Sequence, residues 1–145
     1  MQPVRLSGAV VCASLIALSP AAALDDGKTL SAAEIRAMFA GASLDGIYAS
    51  GTKWSETYSV DGTISYLDEG RTMTGTWKLE GSTFCTIYDS ETGGCWRVRQ
   101  TSGNCFEFAM AKPQGGDAAA RGTRSWDALG WLADQPTTCT FGDKL

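Results

Sequence analysis

From residue 44 to residue 110 apolar and polar positions alternate, and turn residues punctuate the alternation at Asp61-Gly62, Glu69-Gly70-Arg71, Glu80-Gly81, Gly93-Gly94 and 101–103. A period of two with regular turn signals predicts an antiparallel β-meander. The expected strands are 44–50, 53–60, 63–68, 72–79, 82–88, 95–100 and 104–110, about seven in all, with a further one within 124–131. In 53–60, Trp54, Tyr58 and Val60 share a face, and Glu56 lies between them on that face. In 72–79, Met73, Gly75, Trp77 and Leu79 oppose Thr72, Thr74, Thr76 and Lys78. A two-residue Glu80-Gly81 loop sets Leu79 against Ser82 and Trp77 against Phe84, so that one face collects most of the aromatics. A sheet this long twists and curls towards a barrel or part-barrel, here of the lipocalin-like kind.

Ahead of the strands the period is helical. Ser31-Ala32-Ala33-Glu34 is a capping box, Leu30 and Ile35 flank it as a hydrophobic staple, and Gly41 is placed to end a short helix over 32–40. Its apolar face is Ile35, Met38 and Phe39. The polar stretch 24–29 reads as a loose arm, 112–122 as a Gly- and Ala-rich loop, and 136–145 as a tail pinned through Cys139.

The first 23 residues have another purpose. Arg5 precedes an apolar run over 6–18, Pro20 breaks it, and Ala21-Ala22-Ala23 supplies the small residues that signal peptidase needs. The run is shorter than the ~20 residues of a membrane span. Val11 before Cys12 does not suit a lipoprotein cut. The expected organisation is a cleaved signal peptide, 1–23, and one β-rich domain, 24–145, periplasmic or secreted and monomeric.

That location changes the reading of the cysteines. Of the five in the chain, Cys85, Cys95, Cys105 and Cys139 lie beyond the leader, and four in a small exported domain predict two disulfides. Three pairings are possible. The loose Gly93-Gly94 turn, able to fold Cys95 back on Cys85, favours Cys85–Cys95 with Cys105–Cys139. Zinc is disfavoured by wide spacings and the absence of histidine.

The chain has no histidine at all, which removes Ser-His-Asp, Cys-His and His-metal sites and c-type haem. No glycine-rich loop follows a strand and opens a helix, so neither a nucleotide nor any other cofactor is expected. With 12 basic against 16 acidic residues and no basic cluster beyond Arg97 and Arg99, nucleic acid and anionic membranes are poor partners. Arg97 and Glu107 are expected to form a cross-strand ion pair. What chemistry remains lies with carboxylates and aromatics. Glu56 on the aromatic face, or Asp68 in its turn, could serve as a general acid; an arginine partner or a frayed strand start is the plainer expectation for Glu56. The aromatics read first as core, with Trp54, Glu56, Tyr58 and Trp96 as the candidates to face a ligand at a barrel mouth.

The runs Glu34-Ile35-Arg36-Ala37-Met38-Phe39-Ala40-Gly41, Gly75-Thr76-Trp77, Phe84-Cys85-Thr86, Gly93-Gly94-Cys95-Trp96-Arg97-Val98 and Asn104-Cys105-Phe106-Glu107-Phe108 resemble a family of small exported bacterial proteins that carry an uncharacterised domain. The resemblance runs from about residue 31 to 139. It implies an envelope location and a shared disulfide framework, and brings no catalytic residues. The expected function is a non-enzymatic binding or interaction module for a small molecule or envelope protein. The alternatives are an inhibitor of an envelope-attacking enzyme such as lysozyme and a small carboxylate-based hydrolase.

Overall fold

The capping box forms as its residues require. Ser31 Oγ accepts from the Glu34 backbone N–H at 3.4 Å while Glu34 Oε2 accepts from the Ser31 backbone N–H at 2.9 Å, satisfying two of the orphan donors at a helix start. In this computed structural model, which describes residues 27–68, 70–90, 92–112, 122 and 124–141 (the Asp68 side chain excepted), the helix is α1, Ala32–Phe39. The expected signal peptide, nearly all of the 112–122 loop and the last four residues lie outside the described residues. Both residues of the staple, Leu30 and Ile35, are buried. The arm is not loose where it is described: β1, Lys28–Thr29, pairs antiparallel with Arg99 and Gln100.

The strands that follow are β2 Ser43–Tyr48, β3 Lys53–Tyr58, β4 Thr63–Asp68, β5 Arg71–Glu80, β6 Thr83–Tyr88, β7 Gly93–Ser102, β8 Cys105–Met110 and β9 Ala128–Leu132. Consecutive strands pair antiparallel, and β9 returns between β8 and β2, which closes an eight-stranded barrel. The alternation read from the sequence therefore becomes inside and outside. Trp54, Tyr58, Trp77, Phe84, Val98 and Phe108 are buried within, while Thr72, Thr74, Thr76 and Lys78 stay outside.

α1 plugs one end. Phe39 is fully buried, with ring centroids 5.2 Å from Phe106, 5.6 Å from Phe84 and 5.9 Å from Tyr58. Arg36, on the outer side of the helix, lies 5.5 Å over the Trp77 ring. A second, smaller apolar cluster sits outside the barrel, where Ile47, Leu129, Cys105 and Cys139 pack with Trp126 and Trp131. It exists because the tail crosses the outer surface. Asn104 holds that tail, donating from Nδ2 to the Leu132, Gln135 and Pro136 carbonyls and accepting from the Leu132 N–H at 2.8 Å. The two disulfides join Cys85 with Cys95 and Cys105 with Cys139.

Several local expectations are corrected. Val60 is 75 % exposed, because the β3–β4 hairpin closes between Ser59 and Thr63 around three residues, with Gly62 at φ +92°. The β5–β6 register is Leu79 opposite Phe84 and Trp77 opposite Thr86; the loop is Gly81-Ser82, and the displacement of two residues leaves every side chain on its expected face. Gly93 and Gly94 are strand residues, paired with Ile87 and Thr86, which sets Cys85 directly opposite Cys95. A Cβ on Gly93 would stand 2.1 Å from the Thr86 carbonyl, so that close approach needs glycine. Glu107 bonds Arg99, its register partner, at 3.3 Å, while Arg97 faces Ala109.

Candidate functional site

With α1 filling one end, the described residues leave the lumen open at the other, in a cavity of about 240 Å³. The inward residues towards the far strand ends form its wall: Tyr48 of β2, Trp54 of β3, Tyr66 of β4, Met73 of β5, Tyr88 of β6 and Trp96 of β7. Met110 and Ala128 complete it, and Phe84 and Phe108 lie deeper, towards the plug. Trp54 gains its place from two glycines. Gly46 and Gly130 are paired across β2 and β9, and a Cβ on Gly46 would fall 2.1 Å from the Trp54 indole and 2.4 Å from the Leu129 carbonyl. Gly46→Ala is therefore expected to cost about 1–3 kcal/mol through overpacking, read as a lower urea midpoint. A neutral result would mean that the indole has room to move aside.

Glu56 sits in this apolar setting, 8 % exposed, on a strand position opposite Tyr66. Among the described residues its hydrogen-bond partners are tyrosines and no arginine. Tyr58 donates its hydroxyl to Glu56 Oε2, and Tyr88, 32 residues further along the chain, donates to Oε1. Tyr48 and Tyr66 lie above this pair with their hydroxyls 3.4 Å apart, and the Tyr66 and Tyr88 ring centroids are 5.1 Å apart. Burial pushes the Glu56 carboxyl up from 4.5, and the two tyrosine hydrogen bonds oppose the rise without cancelling it. Burial and the nearby carboxylate also push Tyr48, Tyr58 and Tyr88 up, so these hydroxyls remain donors throughout the neutral range.

The sign of the resulting pH dependence follows. A folded carboxyl whose pKa is raised binds its proton more tightly than the unfolded chain does. Stability from this group is complete below 4.5 and declines as pH rises towards the folded value. Glu34 acts in the other window. The Lys28 ammonium beside it and its Ser31 hydrogen bonds lower it to about 2, so its contribution is lost as pH falls from 4.5 towards that value. Urea midpoints of the native protein are expected to fall as pH rises above 4.5, with Glu56→Gln flattening that limb and leaving the acid limb intact. An unchanged slope in the variant would mean that another group carries it.

Of the four side chains expected to face a ligand, the structure brings Trp54, Glu56 and Trp96 to the cavity wall. Tyr58 is not on the wall: its ring is fully buried against Phe39, and it supports Glu56 from the plug side. The Asp68 side chain lies outside the described residues. Tyr48, Tyr66 and Met73 join the wall without having been singled out, although Met73 had been assigned to the inward face. The Trp54 Nε1 donor is buried without a hydrogen-bond partner among the described residues. Two larger hollows, of about 550 and 590 Å³, lie elsewhere, one beside Trp131 and Phe141 and the other between the end of α1 and the end of β9. Neither contains a buried ionisable group among its described lining residues.

The fold and site together define a closed antiparallel eight-stranded barrel, plugged by a helix and carrying an acid-centred aromatic cup. Comparison with family models, with curated proteins and with solved structures returns no match. Two disulfides are typical of proteins outside the cytoplasm, and no helix among the described residues is long and apolar enough to cross a membrane.

Proposed function

We propose that this protein is an exported, periplasmic or secreted, non-enzymatic binding module that holds a small molecule in the barrel lumen. The observation that carries the reading is the cup itself, an apolar concavity with a few convergent polar groups, the usual make-up of a small-molecule site. Its volume of about 240 Å³ suits a compact ligand, since pockets for drug-sized molecules run ~300–1,000 Å³. The leader-like first 23 residues and the two disulfides support export. The carboxyl at the base of the cup has tyrosines as neighbours and no second acid or base on the described wall, a composition suited to recognition more than to turnover.

Native mass spectrometry on protein purified from its host envelope without reductant tests this reading. A small molecule retained in the gas phase, and lost when Trp54 or Trp96 is replaced by alanine, is the expected result. A bare chain that also fails to take up small aromatic compounds at millimolar concentration would remove the lumen as a ligand site.

A further inference from the structure

Glu56 offers more than depth. It is the one formally charged side chain among the described residues that line the cavity, and that lining contains no lysine or arginine. Each of its carboxylate oxygens receives one tyrosine hydroxyl. A carboxylate oxygen has two lone-pair directions, so each keeps one acceptor position after its tyrosine is served. Around this acid the wall presents the rings of Tyr48, Trp54, Tyr66, Tyr88 and Trp96, and aromatic faces carry negative electrostatic potential.

From this juxtaposition we infer that the ligand of the lumen is a compact organic ammonium ion, its N–H groups donating to Glu56 and its cationic head held among the aromatic faces. The inference rests on the reading of the lumen as a ligand site and adds the ligand's chemical class. Three physical points support it. A buried carboxylate without a counter-charge is costly, and a ligand cation supplies that charge where the described lining does not. Cation–π attraction is strongest where water is excluded. On the described lining an anionic ligand would meet an acid and aromatic rings with no basic side chain to receive it, which disfavours fatty acids and phosphates.

The protonation balance is explicit. In the empty cup burial favours the neutral acid. An ammonium ligand binds the carboxylate, so the Glu56 proton leaves to solvent while the ligand keeps its own. The groups facing Glu56 are Tyr58 on its own strand, Tyr48 on β2, Tyr66 on β4 and Tyr88 on β6, with apolar Phe108 and Ala128 on β8 and β9. The hydroxyls of Tyr48, Tyr58 and Tyr88 are pushed up and stay protonated through the neutral range.

The test is calorimetric titration of the purified protein with three near-isosteres: phenethylammonium, phenethyl alcohol and phenylacetate. We expect the ammonium to bind more than about tenfold tighter than the alcohol, the yield of one desolvated cation–π contact with a charge-assisted hydrogen bond, and phenylacetate to bind most weakly. Ammonium affinity should rise from about pH 5 to about pH 7 with release of up to about one proton, measured in buffers of different ionisation heat, while the alcohol's stays flat. Glu56→Gln should bring the ammonium to the level of the alcohol. If the alcohol binds as tightly as the ammonium at every pH, the ammonium inference is overturned and the lumen remains a ligand site. If none of the three binds, both fall. Should Glu56→Gln not fold, the native protein alone decides, because an ammonium affinity no greater than the alcohol's overturns the inference.

Discussion

Alanine in place of Phe39 is expected to lower stability by about 3–5 kcal/mol, the range for deleting a buried aromatic side chain. The ring is fully buried and meets Tyr58, Phe84, Phe106 and Phe108, edge-on to two and near-parallel to the others. These contacts come from three strands, so the cavity left behind has few ways to collapse. Urea unfolding by tryptophan fluorescence measures the loss. Met38→Ala, at a half-buried position beside the same core, should cost clearly less. Equal losses at the two positions would mean that α1 lies on the barrel as a cover and does not fill it. A large Phe39→Ala effect also reaches the site, because Phe39 stacks on Tyr58 and Tyr58 holds Glu56.

Removing the Cys105–Cys139 bridge, as Cys105→Ala with Cys139→Ala, is expected to cost about 4 kcal/mol on the chain-entropy model. The bridge closes 34 residues, whereas Cys85–Cys95 closes 10 and should cost about 3 kcal/mol. Comparing the two double variants is more decisive than either alone. The longer loop includes β9, and the same bridge clamps the tail onto the cluster of Ile47 and Leu129. Loss of the bridge should therefore also loosen Trp131, seen as a change in its fluorescence or faster exchange of the β9 amides. If the Cys85–Cys95 variant proves the less stable of the two, loop closure is not the dominant contribution, and the local packing of Cys85, which is fully buried, carries it.

The faces of the strands were legible because period two survives errors of an even number of residues. The β5–β6 hairpin is displaced by two from its expected register, yet Trp77, Leu79 and Phe84 remain inside. Odd displacements are not forgiving. A two-residue Asp61-Gly62 loop would set Glu56 opposite Leu67, whereas the three-residue loop sets it opposite Tyr66 and sends Leu67 outward. That one residue decides whether the cup has its third tyrosine. Glu56 and Trp54 were legible from alternation alone. Their surroundings were not, because the glycine pair that admits Trp54 comes from β2 and β9, and Tyr88 reaches Glu56 from three strands away. Such partners are fixed by closure of the barrel, which no local pattern encodes. The helix was the opposite case: the capping box and staple are short-range devices and formed as written.

Closure also limits how another macromolecule can engage this protein. Each barrel strand has a neighbour on both sides, and beyond the end of β6 the outer side of β7 is covered by β1. Among the described strands the free backbone ladder is thus confined to short stretches: the two residues of β1, one of them a lysine, and the ends of β5 that run past β4 and β6. An extended peptide therefore finds no long free edge among the described strands on which to add itself as a further strand, and two copies have no long edges through which to fuse their sheets. Any protein partner must recognise side chains and loops on the outer surface, leaving the mouth of the cup as the route for a small guest.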